Sequence, residues 1–384
     1  MTLGSGDPLR IVVVHSYYSS RQPSGENVVV DLQVEALRRA GHDVTVVARF
    51  TDELEQSRLY PLRAGLRAAT GRGDSPLVEI EACEPDVVHV HNLFPNMGRR
   101  WLHRLRTPVV ATLHNYRPLC PAATLVREGQ TCTLCPDNRR ASPAIRHACF
   151  KDSVVQTIPV ALGTRFSNDP LLQRADRVVT LNDDMAATYR HYGVSADRVV
   201  TVPNFVRPQP VDEAAETDDT WLFVGRLTYD KGIVELLKRW PADRRLTVVG
   251  AGPQEREARA LAGDNVRMLG QRSHDEVLDL MASSRGLVFP SQWPEGLPTV
   301  YLEALAAGLP VLAWPASIVG TLVEREGTGL VVRGDLAPVL AAADDLFPSL
   351  PSTCRQVFEN RYSEHAWVTS MTQLYQSVLR FGAS

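Results

Sequence analysis

No apolar run in this chain approaches the roughly 20 residues that a bilayer-spanning helix needs, so no membrane span is expected. The opening stretch, MTLGSGDPLRIVVVHSYY, lacks a basic segment followed by a long apolar core and does not read as a secretory signal. A cytoplasmic location is the resulting expectation. Positive charge is not in surplus: the formal net charge is −3, which leaves little for a polyphosphate backbone and argues against a nucleic-acid partner. Basic runs survive locally, as from Arg99 and Arg100 to Arg106, and suit either a solvated helix face or a docking patch for an acidic acceptor or a peripheral membrane contact. The pattern D-x-D never occurs. The aspartate pair that would hold a divalent cation against a diphosphate is therefore missing, and arginine, lysine and helix dipoles are left to hold any phosphates. Low-complexity tracts and internal repeats are absent as well.

What is present is an ordinary globular composition, 44% hydrophobic and 22% charged over 384 residues, a length that suits two domains at about 150 residues each. Short β-branched runs recur at Ile11 to His15, Val44 to Ala48, Val87 to Val90, Val109 to Leu113, Val178 to Leu181 and Val199 to Val202. Between the first two, Val30, Val34 and Leu37 show helical spacing over Glu26 to Ala40. Pro203 to Thr220 is rich in proline and acids and reads as a linker, after which a second series of strands begins at Trp221 and continues to Val332. The expected fold is α/β, with two Rossmann-like domains at residues 1–206 and 207–363 facing each other across a central cleft. The segment Glu364 to Phe381 reads as a further helix.

The chemistry is expected just past the carboxyl ends of these strands. The most informative stretch is QWPEGLPTVYLEALAA, Gln292 to Ala307. Pro298 suits a first helical turn, so the helix is expected to start near Leu297, with Glu295 in the loop before it and Glu303 about 9 Å along its axis. The amides from Leu297 through Pro298 and Thr299 to Val300, with Gly296 leading in, would present the positive end of a helix to a diphosphate, and the two glutamates would take neutral hydroxyls. In GRLTYDKG, Gly225 precedes Arg226 and Lys231, two cations around a turn that would neutralise a departing diphosphate. His114 follows a strand directly, and Gly25 in QPSGE would let backbone approach a ligand. Cys120, Cys132, Cys135 and Cys149, with His147 nearby, enclose a C-x2-C centre that suits a structural zinc, an iron–sulfur cluster, or free or paired thiols.

PSGE, GHDVTVV, DVVHVHN, TLHNYRPLCP, FVGRLTYDKG, VVGAGP and FPSQWPEGLPTVYLEALAAGLPVLA together resemble the retaining family 4 glycosyltransferases of the GT-B fold, over most of the chain. The resemblance implies that Glu295 contacts donor-sugar hydroxyls and Glu303 the ribose. It further implies that Arg226 and Lys231 hold the diphosphate, that His114 lies beside the donor sugar, and that Gly25 lies near diphosphate and acceptor. It joins the segment 364–384 to the N-terminal domain. The expected activity is transfer of a hexosyl group from a UDP- or GDP-type nucleotide sugar to a small-molecule, lipid or polysaccharide hydroxyl, with retention and without a catalytic metal. A nucleotide-sugar epimerase and a non-catalytic, zinc-stabilised interaction protein are the alternatives. Acceptor choice is expected to depend on loops around Tyr17, Tyr18 and Tyr116. The single glycine of the first loop and VPNF in place of the common VPNG depart from the family pattern.

Overall fold

A computed structural model describes residues 7–20, 25–207, 218–292 and 296–381. The chain forms two compact units, Met1–Pro203 with Trp367–Ser384, and Asn204–Ala366. In the first, β1 (Arg10–Tyr17), β2 (Asp43–Phe50), β3 (Val87–Asn92), β4 (Val109–Leu113), β7 (Arg177–Thr180) and β8 (Val199–Thr201) make a parallel sheet ordered β2-β1-β3-β4-β7-β8. A separate hairpin, β5 (Val126–Arg127) and β6 (Gln130–Thr131), precedes β7. In the second unit, β9 (Thr220–Val224), β10 (Arg245–Val249), β11 (Val266–Gly270), β12 (Gly286–Phe289), β13 (Val311–Ala313) and β14 (Gly329–Val331) make a sheet ordered β11-β10-β9-β12-β13-β14. Central strands such as IVVV in β1 and VVATL in β4 are buried at consecutive positions. Both faces are therefore covered, which is why these strands read as continuous β-branched runs and not as alternation.

Each order contains one point where the winding reverses: between β1 and β3 in the first sheet, between β9 and β12 in the second. Loops leaving neighbouring strands there diverge and open a crevice at the carboxyl ends. Gly25 opens the helix Gly25–Arg39 that follows β1, and Gly225 and Arg226 follow β9 directly. Two expectations need correction. The supposed linker does not begin at Pro203, because Phe205 and Val206 are buried in the second unit; residues 208–217 lie outside the described ones. The helix expected from Leu297 begins two residues later, at Thr299.

The C-terminal helix Glu364–Phe381 buries Trp367, Met371, Leu374, Tyr375 and Val378, a stripe at helical spacing. From Trp367 onward it belongs to the first unit. Tyr375 Oη lies 2.7 Å from His89 Nδ1, and His42 Nε2 lies 3.2 Å from Thr372 Oγ1.

Candidate active site

In the second unit, three loops at the β9/β12 crevice are held against one another through backbone. Gly225 N–H donates to Val249 at 3.0 Å and Leu227 N–H to Ala251 at 3.0 Å. A Cβ at Gly250 would lie 1.9 Å from the Gly225 carbonyl oxygen, and one at Gly252 would lie 2.5 Å from that of Leu227. No side chain fits at either place, which explains the glycines of VVGAGP. Arg226 projects from this support and is exposed. Lys231 ends a short 3-10 turn, Tyr229–Lys231, with Nζ 5.9 Å from the Phe289 ring centroid. The carbonyl of Asp230 accepts from Ser291 Oγ at 3.1 Å and from Gln292 N–H at 3.0 Å. The cationic loop is thereby stitched to the segment that leads toward the next helix.

That helix is Thr299–Ala307. Pro298 caps it in an extended conformation, φ −68° and ψ 127°, and does not occupy its first turn. Proline has no N–H, so it adds nothing to an anion site. The Tyr301 amide already donates to Pro298 at 3.2 Å. Thr299 and Val300 are then the amides that head the helix without an acceptor inside it. Leu297 and Pro298 are buried and Gly296 is half-buried. Glu303 is the fifth helical residue, about 6 Å along the axis at about 1.5 Å per residue. It is half-buried, and burial pushes its carboxyl up against the opposing pull of His274 and the Thr299 hydroxyl. The back of the helix is fixed by Tyr301, whose hydroxyl donates to Glu326 at 2.8 Å; Glu326 also accepts from Tyr362 at 2.6 Å. Glu295 lies outside the described residues.

In the first unit, His114 follows β4 and is half-buried. It belongs to a histidine stack that the sequence reading did not assemble. His91 Nδ1 lies 3.0 Å from His114 Nε2 with the rings stacked 5.3 Å apart, and the His89 and His91 rings are 4.1 Å apart. His15 Nε2 meets Asn27 Oδ1 at 3.1 Å. Burial, above all, lowers these imidazoles: His15 to about 4, His89 and His114 to about 3, and His91 well below its ordinary value. His114 is thus a neutral hydrogen-bonding group at pH 7. Gly25 stands in open space among the described residues, with a φ outside the left-handed region. The fold itself does not demand a glycine there.

Next to Gly25, Glu26 was missed. Its carboxyl is pushed up to about 7 by burial, against the pull of Arg117, Asn115 and Asn92. Asn115 Nδ2 donates to its Oε2 at 3.4 Å, while its Oε1 is buried without a partner among the described residues. The signals were adjacent, Glu26 in PSGE and Asn115 in HNYR. Tyr116, expected near an acceptor, is buried against the Tyr189 ring at 6.0 Å.

Cys120, Cys132 and Cys149 lie near enough to Cys135 to add to the burial that pushes its thiol up to about 11. All four thiols are free, and no three ligating groups are gathered in a metal-holding arrangement among the described residues. The C-x2-C leaves Cys132 just past β6 and carries Cys135 into the helix Leu134–Asn138, one thiol half-exposed and the other buried. The His147 ring is engaged by Arg127 at 3.0 Å.

Comparison with known proteins decides what this pair of crevices belongs to. The model of "Glycosyltransferase Family 4" matches residues 23–209, and that of "Glycosyl transferases group 1" matches residues 208–363. The protein is a GT-B glycosyltransferase. It is 25% identical to the glycogen synthase of Mycobacterium tuberculosis over 94% of this chain and 83% of that one. Over 35% of this chain and 41% of the relative it is 33% identical to a GDP-mannose-dependent phosphatidylinositol monomannoside mannosyltransferase of Corynebacterium glutamicum. Among solved structures, the sucrose-phosphate synthase of Thermosynechococcus elongatus gives a TM-score of 0.65 at 20% identity, covering 98% of this glycosyltransferase and all (100%) of that chain. HepE of Anabaena, solved with UDP and glucose, gives 0.61 at 15% identity, over 96% and 100%. At these identities the structures speak for the fold. Nothing in the matches supports an epimerase or a non-catalytic protein.

Proposed function

We propose that this glycosyltransferase moves a hexosyl group from a UDP- or GDP-linked donor to an acceptor hydroxyl with retention of anomeric configuration. The observation that carries the reading is the double hydrogen bond at the Asp230 carbonyl, which holds the Arg226–Lys231 loop beside the approach to the Thr299–Ala307 helix. Two cations and the Thr299 and Val300 amides then serve one diphosphate. As the bond to the anomeric carbon breaks, charge collects on the leaving phosphate, and Arg226 and Lys231 offset it. Glu303 takes ribose hydroxyls. His114, held neutral, hydrogen-bonds the donor sugar. The leaving phosphate accepts the acceptor's proton on the same face that it vacates, so no enzymic nucleophile and no divalent cation are required. Two relatives lend support: one is GDP-mannose-dependent, and one fold neighbour was solved with UDP and glucose.

The test is an Arg226→Ala variant. Loss of one such charge partner costs about 3 kcal/mol of transition-state stabilisation, on the order of a hundredfold in kcat/KM. Unchanged turnover would remove Arg226 from this role. Product NMR showing inversion would reject the same-face route, and loss of activity in EDTA would reject metal independence.

A further inference from the structure

The helices Tyr60–Thr70 and Val154–Gly163 lie side by side on the first unit. Gly163 permits the approach, since a Cβ there would fall 1.7 Å from the Ala68 carbonyl oxygen. Arg99 joins their ends, donating to the Gly163 carbonyl at 2.8 Å and the Ala68 carbonyl at 3.3 Å while pairing with Asp169 at 2.5 Å. Yet no residue of the Tyr60–Thr70 helix is buried. Leu59, Leu62 and Leu66 are spaced i, i+3, i+7, and so are Val155, Ile158 and Leu162, which puts each set on one helical face. All six are exposed, Leu62 at 72%, Leu66 at 63% and Val155 at 79%. Two parallel apolar stripes of this length are more than scattered surface leucines.

Where both helices end, a cavity of about 420 Å³ is lined by Arg99, Arg100, His103 and Arg165. Arg100 and Arg165 are exposed and have no acidic partner among the described residues. A chain of net charge −3 therefore carries unpaired positive charge at the end of its apolar ridge. An apolar ridge edged by arginines complements the boundary of an anionic bilayer, where acyl chains lie beneath phosphate headgroups. No described helix is long and apolar enough to cross a membrane, which leaves surface docking.

We propose that this face docks on an anionic membrane surface, its two apolar stripes entering the headgroup layer while Arg100 and Arg165 meet lipid phosphates. The proposal stands apart from the donor-site reading, and its test does not use activity. The full chain is floated with phosphatidylcholine vesicles, with and without about one-third phosphatidylglycerol, at low and high salt. Wild type is expected to float with the anionic vesicles, at least tenfold better than with phosphatidylcholine alone, and to be released by salt. Leu62→Ser/Val155→Ser is expected to lower partitioning at least tenfold. Arg100→Ala/Arg165→Ala should lower it roughly 25-fold at low salt, at about fivefold per basic residue. Leu66→Ser/Leu162→Ser is an independent apolar pair should the first melt early. Wild type that stays unbound in anionic vesicles, or folded variants that bind like wild type, would overturn the proposal. So would a concentration-dependent dimer abolished by the serine pairs without vesicle binding, which would assign the ridge to a second copy of the chain.

Discussion

Replacing Gly232 by alanine tests whether the cationic loop is held where the reaction needs it. Gly232 sits at φ 72°, and a Cβ would lie 2.2 Å from the Pro290 carbonyl oxygen, far inside contact distance. The left-handed conformation alone costs alanine roughly 1–2 kcal/mol. Relief of the clash must move one backbone away from the other, and the next two residues, Ser291 and Gln292, make the two bonds to Asp230. Losing both adds about 2 kcal/mol at about 1 kcal/mol each. If the loops part, the expected total is about 3–4 kcal/mol in a urea melt and Lys231 shifts by about 1 Å, a displacement that is worth on the order of a hundredfold in rate. If they stay together, the two bonds survive and the melt reads only the strain at position 232. Urea unfolding and titration with UDP and GDP are therefore read together. A variant within 0.5 kcal/mol of wild type, with nucleotide affinity also unchanged, would show that the loops are not coupled as described.

Three further outcomes follow from the buried groups. Acid should destabilise the first unit: His15, His89, His91 and His114 have folded values below the unfolded one, so the stability their neutral forms carry is present above about 6.5 and lost as pH falls below it. Glu26, raised to about 7, works in the opposite direction between its ordinary value and about 7, but one carboxyl is outnumbered by four imidazoles; urea melts at pH 7 and 5 that show no loss would contradict this. Glu26→Gln should gain stability over wild type as pH rises through about 7, because the amide has no charge to bury; a pH-independent difference between the two would refute it. Gly163→Ala should separate its helix from Tyr60–Thr70 and cost about 1–3 kcal/mol as an overpacked contact, checked by thermal melting.

The sheets were legible because a doubly covered parallel strand leaves no room for polar alternation, and each expected run appears within two residues of its place. The start of the Thr299–Ala307 helix was misplaced by treating Pro298 as a first-turn residue. With the same φ, an extended ψ makes proline a cap instead. The helices Leu134–Asn138 and Ser142–Arg146, each five residues, are too short to show a period. Val154–Gly163 carries Pro159 inside it and valines throughout, which reads as a strand or a loop. Glu26 and the histidine stack escaped for another reason: their character comes from neighbours on β1, β3 and β4 far apart in sequence, and burial is invisible to spacing.

One buried contact fixes the C-terminal helix to that stack. His89 and Tyr375 are both almost fully buried. Thr112 Oγ1 lies 2.7 Å from His89 Nε2, and Tyr375 Oη lies 2.7 Å from His89 Nδ1. A neutral imidazole donates through one nitrogen and accepts through the other, and each hydroxyl can take the complementary part. Tyr375→Phe keeps the ring and its packing but leaves Nδ1 dry and unpaired, at a cost of about 1–3 kcal/mol. Rotation of Thr112 cannot compensate, since it serves the other nitrogen. The expected result is a lower urea midpoint with an unchanged slope. A change under 0.5 kcal/mol would mean that the hydroxyl is dispensable and that the Trp367, Met371 and Leu374 stripe alone holds the helix to the first unit.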